Sequence, residues 1–407
     1  MALSVTKAFF VFIVFFILQS FQTFASTKGV YVNVSPNIRY LLIGTYDINR
    51  LSNVINKEVP EEIDEKFVCD NPKNTVNLYR VEYQSVIPEQ NNRPTIATGL
   101  IAIPVVHTQI MPMVSYQHGT VFGKYQVPSY PDQSFETRLM IAQFAGQGYV
   151  VIGADYFGMG DSKENDSYIV IGSQTQASYD MYEAAKLILE KEGIAISSLF
   201  VTGWSQGGVI TMSFLEKLES AGVKVSAAGT AAAQCDGYIM TNGFLQHPRK
   251  IDAPWVTTMF ILTAFSFEEY YQKPGLAKGL FNPSQFELAK RVYLKDTTLH
   301  YSEFPLDLHS LIRPEYFNSL YYKQSEYGKL ISQMHPYKWD IKTPLRMYYG
   351  DQDECLTIGL AKLPSYYQKA MGNINVESIS TGIDSNHRKT FARAAAEWKK
   401  WFDSFKK

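Results

Sequence analysis

Charge is scarce in this sequence of 407 residues, of which only 19% are charged. Its 38 basic and 39 acidic residues are mixed throughout, without a block of like charge or an internal repeat. The sequence lacks the basic patch or stripe that nucleic-acid-binding proteins carry, so we expect no nucleic acid partner. Low charge together with 46% hydrophobic and 14% aromatic residues also excludes a disordered chain and predicts a large buried core.

Cysteine is rarer still, since the sequence has only Cys69, Cys235 and Cys355. Their spacing fits no zinc-binding pattern, and the glycine-rich stretch 154–162 lacks the Gly-x-Gly-x-x-Gly spacing of a dinucleotide loop. We therefore expect neither a metal nor a cofactor. In an exported protein, one disulfide could join Cys69 to Cys235 or Cys235 to Cys355, and three unpaired cysteines are the alternative.

Long apolar runs are missing except at the N-terminus, where Lys7 precedes the apolar stretch Ala8 to Leu18 and small residues follow up to Ala25. This layout is typical of a signal peptide. We therefore expect residues 1–25 to be removed near Ala25 and the mature protein to be secreted or periplasmic. About 11 apolar residues are too few to span a bilayer core of roughly 30 Å, although an uncleaved N-terminal membrane anchor is the alternative.

Strand-like and helix-like patterns alternate from about residue 75 onward, after an N-terminal extension (26–74) without a clear pattern. The predicted strands are 77–87, 95–104, 113–119, 149–156, 199–204, 223–233, 344–350 and 375–380, and the predicted helices are 135–148, 178–193, 208–222, 359–371 and 387–405. Such alternation is typical of βαβ units. It predicts an α/β fold with a mostly parallel central sheet flanked by helices.

The alternation stops between about residues 235 and 334, where helix-like segments rich in aromatic residues follow one another at 254–271, 283–294 and 314–322. We interpret 236–337 as a helical cap or lid inserted into a core formed by 75–235 and 338–407. Such a cap could contact a lipid interface. Six aromatic residues of the insert could line an acyl pocket or form the core of the insert itself: Trp255, Phe260, Phe265, Phe267, Tyr270 and Tyr271.

A serine lies between glycines in the stretch FVTGWSQGGVI, residues 200–210. A buried strand must turn sharply into a helix here, and the positions two before and two after Ser205 would collide unless they were small. Gly203 and Gly207 meet that requirement and give the pattern Gly-x-Ser-x-Gly. The sequence therefore predicts Ser205 as a nucleophile on a tight turn rather than an incidental serine.

A serine nucleophile needs a base, and the base needs an acid that orients it. In this architecture the order along the chain is serine, acid, histidine. Only His387 follows the late acidic loop after strand 344–350, so it is the predicted base. Asp353 is the favoured acid, Asp351 the second choice, and Asp384 a third candidate with a poor angle for holding the ring.

The oxyanion hole needs two backbone N–H groups close to the developing charge. Gln206, which follows the nucleophile, should supply one. The strand that ends in Gln-His-Gly-Thr should supply the other, from Thr120 or, as second choice, Gly119. We interpret His118 as a buried structural histidine, and the turn 154–162 as a border of the pocket with Tyr156 in its wall.

Together, QHGT, ADYFGMGDS, GWSQGG, the helical insert and GDQD…NH resemble the α/β-hydrolase superfamily over residues 75–405. Within it, the sequence is similar to exported bacterial esterases and lipases of the secretory-lipase type. The resemblance implies the α/β-hydrolase fold, Ser205, Asp353 and His387 as a catalytic triad, and hydrolysis of carboxylic esters without a cofactor. Trp204 stands where that group often has Tyr or His, and its usual His-Pro-Tyr is absent after Ser162.

An esterase or lipase acting on a small-molecule or lipid ester is the leading interpretation. A peptidase or amidase on the same fold is the first alternative, but no acidic cluster in the insert clearly offers a site for a peptide amino group. A non-catalytic binding protein on a hydrolase scaffold is the second alternative. The sequence indicates neither the oligomeric state nor the preferred acyl length.

Overall fold

A ten-stranded sheet runs through residues 29–406, the part of the chain that this computed structural model describes. The predicted signal peptide lies outside the described residues. The strands are β1 (Val32–Ser35), β2 (Ile38–Tyr46), β3 (Val76–Ile87), β4 (Arg93–Pro104), β5 (Ile110–Gln117), β6 (Val150–Ala154), β7 (Ala195–Trp204), β8 (Ala227–Ala231), β9 (Leu345–Tyr349) and β10 (Val376–Ser380). Their order across the sheet is β1-β2-β3-β4-β6-β5-β7-β8-β9-β10.

The α-helices of the described residues fall into three groups along the chain. Short ones precede β3, namely α1 (Ile48–Asn53) and α2 (Val59–Ile63). Crossover helices follow, namely α3 (Phe135–Gln143), α4 (Ile171–Lys191) and α5 (Gln206–Ser220). The rest are α6 (Gly237–Gln246), α7 (Val256–Tyr270), α8 (Leu276–Leu280), α9 (Phe286–Tyr293), α10 (Leu308–Leu311), α11 (Ser319–Gln324), α12 (Glu326–Ile331), α13 (Ile358–Ala370) and α14 (His387–Asp403).

The half of the sheet from β6 to β10 is parallel. Every residue of β6 and β8 is buried, because helices pack on both faces of such a sheet. Both strands lie within the ranges that the sequence predicted, 149–156 and 223–233. Parallel strands all end at the same edge, so the residues that follow β5, β7, β9 and β10 lie along one side of the molecule.

The other half is antiparallel. The strands predicted at 77–87 and 95–104 pair with each other, in a register that runs from Val76 opposite Pro104 to Ile87 opposite Arg93. The N-terminal extension, 26–74, in which the sequence showed no clear pattern, contributes to the sheet. It supplies β1 and β2, and β2 pairs with β3 along its length.

Helices α6 to α12 lie between β8 and β9, where the sequence predicted an insert at 236–337. The insert is fixed to the loop before α4. Ser266 Oγ donates to the carbonyl of Asp166 over 2.6 Å, and Tyr270 OH donates to the carbonyl of Asn165 over 2.8 Å. Lys295 Nζ pairs with the Asp166 carboxylate at 2.7 Å, and both side chains are buried.

All three cysteines are unpaired, with Cys235 and Cys355 buried and Cys69 partly exposed. The predicted alternative with one disulfide is therefore not what the structure has. Among the described residues, no helix is long and apolar enough to cross a membrane. No group of three or more potential metal ligands occurs within residues 29–406 either.

Candidate active site

Ser205 lies on a strained turn between β7 and α5. Its φ of 55° and ψ of −121° are unusual for a residue with a side chain. A Cβ added to Gly203 would lie 2.2 Å from the carbonyl oxygen of Gly207, and one added to Gly207 would lie 1.9 Å from that of Gln117. Both positions therefore exclude side chains, as the sequence predicted.

Asp353 and His387 form a buried pair at the same sheet edge. Asp353 follows β9 and is 1% exposed, while His387 follows β10 and is 3% exposed. His387 Nδ1 lies 3.0 Å and 2.9 Å from the two carboxylate oxygens. Asp353 Oδ1 also accepts the N–H groups of Cys355 and Leu356 at 2.8 Å and 2.9 Å. The carboxylate is thus held in place from three directions.

The two rival carboxylates do not contact His387. Asp351 Oδ1 accepts from Ser380 Oγ at 2.9 Å, in the turn where we expected a structural role for it. Asp384 is largely exposed and forms an ion pair with Arg393 at 2.9 Å. Of the three candidates, only Asp353 is in a position to orient the imidazole.

The loop that carries Asp353 is bound by the insert. The Arg249 guanidinium donates to the carbonyl of Asp353 over 3.1 Å and to that of Leu356 over 3.4 Å. The N–H of Ala253 donates to the carbonyl of Glu354 over 3.0 Å. Residues 249–253 of the insert therefore brace the loop of Asp353.

The second ring nitrogen of His387, Nε2, is buried and has no hydrogen-bond partner among residues 29–406. The N–H of His387 donates to Glu354 Oε2 over 3.0 Å. Burial lowers the pKa of His387, but the charge and hydrogen bond of Asp353 and the charges of Glu354 and Glu136 outweigh it, so that its pKa lies above the ordinary value. His387 is thus stabilised as a cation while Nε2 remains available for a proton.

Ser205 and His387 are not joined by a hydrogen bond, since Nε2 lacks a partner. They are neighbours through Trp204, whose ring centroid lies 5.1 Å from that of His387. On the other side, the Trp255 ring of the insert lies 6.0 Å from the imidazole. The structure therefore brings Asp353 and His387 into contact, while Ser205 directly follows Trp204 at the end of β7.

The predicted oxyanion donors differ in their availability. Gln206 is the first residue of α5, so its N–H has no acceptor within the helix. Gly119 is wrong as a donor, because its N–H already donates to Glu136 Oε2 over 2.8 Å. We find no hydrogen bond of the Thr120 N–H within the described residues; its hydroxyl lies 3.1 Å from that of Tyr168.

His118 is a buried structural histidine, as predicted. It is 1% exposed, and its ring nitrogens lie 2.8 Å from the carbonyl of Gly119 and 3.1 Å from that of Asp155. Its ring stacks on Tyr156 with centroids 4.3 Å apart. A small cavity adjoins the site and is lined by His118, Val121, Tyr156, Met159, Asp166, Tyr168 and Gln206.

The aromatic residues of the insert divide into two groups. Trp255 faces the imidazole, as described above. Most of the others form the hydrophobic core of the insert, as the simpler interpretation held: Phe260, Phe265, Phe267 and Tyr270 are 0%, 7%, 1% and 1% exposed.

Sequence reasoning missed three residues that brace the site: Glu136, Arg249 and Glu354. Glu136 contacts the loop that carries Thr120, and Glu354 binds the backbone N–H of His387. A charged residue in a helix or loop usually lies in solvent, so nothing in the sequence around Glu136 or Arg249 marks them. Glu354 directly follows Asp353, and this adjacency was the one available indication.

No protein-family model and no curated protein matches this sequence. Among solved structures, it is similar to a protein from Legionella pneumophila assigned to the hydrolases, with a TM-score of 0.79 and 22% identity over 92% of this chain and 98% of that one. The rice cell wall degrading esterase LipA from Xanthomonas oryzae gives 0.74 and 16% identity, over 92% and 95%. Lipase A from Candida antarctica gives 0.59 and 15%, over 85% and 77%.

The chain has the α/β-hydrolase fold. In the α/β-hydrolase fold, a serine on a tight turn after a strand is followed along the chain by an acid and then a histidine. Ser205, Asp353 and His387 occur in that order here, each after a strand of the parallel half.

Proposed function

We propose that this protein is a serine hydrolase that cleaves carboxylic esters through an acyl-enzyme intermediate. Ser205 is the nucleophile, His387 the general base, and Asp353 the acid that orients the imidazole. The observation that carries the proposal is the buried Asp353–His387 pair, whose unpartnered Nε2 lies at the same sheet edge as the strained Ser205 turn.

In the first half of the reaction, Ser205 Oγ attacks the ester carbonyl carbon as its proton passes to His387 Nε2. Since Nδ1–H donates to Asp353, Nε2 is the nitrogen that can accept this proton. The imidazolium then donates the proton to the oxygen of the departing alcohol. In the second half, water attacks the acyl carbonyl carbon as its proton passes to His387 Nε2. The imidazolium then returns that proton to Ser205 Oγ as the bond between Oγ and the acyl carbon breaks, and the carboxylic acid leaves.

The negative charge on the carbonyl oxygen is received by the N–H groups of Gln206 and Thr120. The contact of Gly207 with Gln117 supports this pairing, because it brings the start of α5 against the loop after β5. Removal of one such donor typically slows the reaction by about 10² to 10³.

The substrate class is a small-molecule or lipid ester. The similarity of the fold to an esterase and a lipase supports ester chemistry over peptide hydrolysis. Trp255 places an apolar surface of the insert beside the imidazole, which suits an acyl chain better than a charged group. In this proposal the insert acts as the cap of the site and contacts a lipid interface when the substrate is aggregated.

A fluorophosphonate probe tests the nucleophile. We expect it to label one serine in the wild-type protein and none in Ser205→Ala, and a folded wild-type protein that stays unlabelled would contradict the proposal. The reaction class is tested with p-nitrophenyl esters of increasing acyl length against aminoacyl anilides. We expect faster hydrolysis of the esters, whereas preference for the anilides would indicate a peptidase.

Export completes the proposal, with cleavage near Ala25. Expression of the full chain in a bacterial host should yield a secreted or periplasmic protein that begins at about Ser26. An N-terminus that stays intact in the membrane fraction would support the anchored alternative instead.

A further inference from the structure

Glu136 is a buried carboxylate directly behind the loop that follows β5. It is the second residue of α3 and is 6% exposed. Its Oε2 accepts the N–H of Gly119 at 2.8 Å and the hydroxyl proton of Tyr116. The mechanism described so far gives this side chain no role, although a buried carboxylate is costly unless its partners are well placed.

The contact leaves little freedom to the peptide that precedes Thr120. A Cβ at Gly119 would lie 3.1 Å from Glu136 Oε1 on one side and 3.2 Å from Trp204 on the other. Gly119 is therefore held between Glu136 and Trp204, the residue before Ser205. The Glu136–Gly119 hydrogen bond orients the peptide plane before Gly119, and the packing on both sides of Gly119 restricts its rotation, so the two together limit the directions in which the Thr120 N–H can point.

Several groups act on the charge of Glu136. Burial raises its pKa, while His118, the N–H of Gly119, the Tyr116 hydroxyl and His387 favour the ionised form. Its position in the first turn of α3 also favours a negative charge. Burial and the negative charge of Glu136 both raise the pKa of Tyr156. The charges of Asp353 and Glu354, on another loop, favour the charged form of His387.

We propose that Glu136 is a positioning residue that holds the Thr120 amide in the oxyanion hole through its hydrogen bond to Gly119. The inference rests on the proposed ester hydrolysis. Glu136 does not take part in bond making or breaking, so its loss should act on the transition state and leave substrate binding almost unchanged.

The test compares Glu136→Leu, which removes the acceptor, with Glu136→Gln, which keeps an acceptor but no charge. We expect kcat of Glu136→Leu to fall by about 10²-fold, the scale of one lost oxyanion donor, with KM within about threefold of wild type. Glu136→Gln should recover most of this loss, falling by less than about tenfold, because neutral hydrogen bonds are weaker than charged ones.

A second measurement separates positioning from a general structural role. A trifluoromethyl ketone forms a tetrahedral adduct with its own oxyanion, so its affinity should fall in parallel with kcat, in the order wild type, Glu136→Gln, Glu136→Leu. Asp180→Asn on α4, which removes another partly buried, hydrogen-bonded carboxylate, is the control and should change neither quantity.

Folded Glu136→Leu with wild-type kcat and inhibitor affinity would overturn the inference. If that variant fails to fold, Glu136→Gln decides, and wild-type values of both quantities would overturn it. Different results would overturn the proposal of ester hydrolysis and the proposal about Glu136. A wild-type protein without esterase activity and without fluorophosphonate labelling overturns both, whereas an active wild type with insensitive Glu136 variants overturns this one alone.

Discussion

Trp204 stacks on Phe391 with ring centroids 4.9 Å apart and an interplanar angle of 13°. Phe391 lies one helical turn after His387 on α14, and Trp204 directly precedes Ser205, so this pair links the strand of the proposed nucleophile to the helix of the proposed base. The indole also lies 5.1 Å from the imidazole. A bulky ring at position 204 therefore sets the spacing between the two groups.

Trp204→Ala should reduce both stability and activity. Loss of a buried aromatic side chain typically costs about 3–5 kcal/mol of unfolding free energy. Without the ring, α14 can approach β7, and we expect kcat to fall at least about tenfold, since small misplacements of reacting groups are costly. Denaturant unfolding and ester kinetics measure the two effects. Trp204→Phe, which keeps a ring against Phe391, should lose less of each, and an equal loss would contradict this account.

Asp353→Asn should lower kcat by about 10⁴-fold, because an amide no longer holds the imidazole in the required tautomer. Asp351→Asn is the matched control two residues away in the same loop. Its partner is Ser380, so its kcat should stay within about threefold of wild type. Equal losses in the two variants would show that the loop, and not the Asp353–His387 contact, governs activity.

The pH dependence of kcat/KM should report His387, which acts as a base only when neutral. Activity is lost as the pH falls through its pKa, and because that pKa is raised, the loss begins at a higher pH than for an ordinary histidine. Glu354→Gln removes one of the charges that raise it. The acidic limb of the profile should then move to lower pH, and a shift to higher pH would contradict the assignment.

Gly207→Ala should prevent correct formation of the turn. The added methyl group would meet the backbone of Gln117 at 1.9 Å, which no side-chain adjustment can relieve. We expect a strong drop in the thermal midpoint and loss of fluorophosphonate labelling. Gly243→Ala in α6 is the control, since nothing lies within 4 Å of its added methyl group. A normal Gly207→Ala protein would show that the turn is looser than described.

The parallel half of the fold was predictable because β6 and the second half of β7 are mostly apolar and fully buried, and because its strands alternate with helices. The order of acid and histidine in such a fold then left only His387 as the base. The first strands were missed because β2 is an outer strand with mixed burial and no clean alternation. Helix α4 starts at Ile171 and not at the predicted 178. Its first turns were missed because they bury polar side chains, including Ser173 and Gln174, so the sequence there shows no apolar face.

The residues that support the site were less predictable than the three proposed catalytic residues. Ser205, Asp353 and His387 belong to recognisable local patterns, whereas Glu136 acts on Gly119 through a contact between different elements. The direction of a peptide N–H depends on such contacts. For that reason the sequence offered both Gly119 and Thr120 as donors, and the Glu136 hydrogen bond was needed to remove Gly119.

Arg249 connects the insert to the proposed active site, whether or not the insert covers the substrate. Because its guanidinium binds the carbonyls of Asp353 and Leu356, the alignment of the acid depends on a residue that precedes α7. Chimaera experiments exchange such helical segments between related hydrolases to alter substrate preference. Here the exchange would also change the turnover rate, unless the new segment kept an arginine at the position of Arg249.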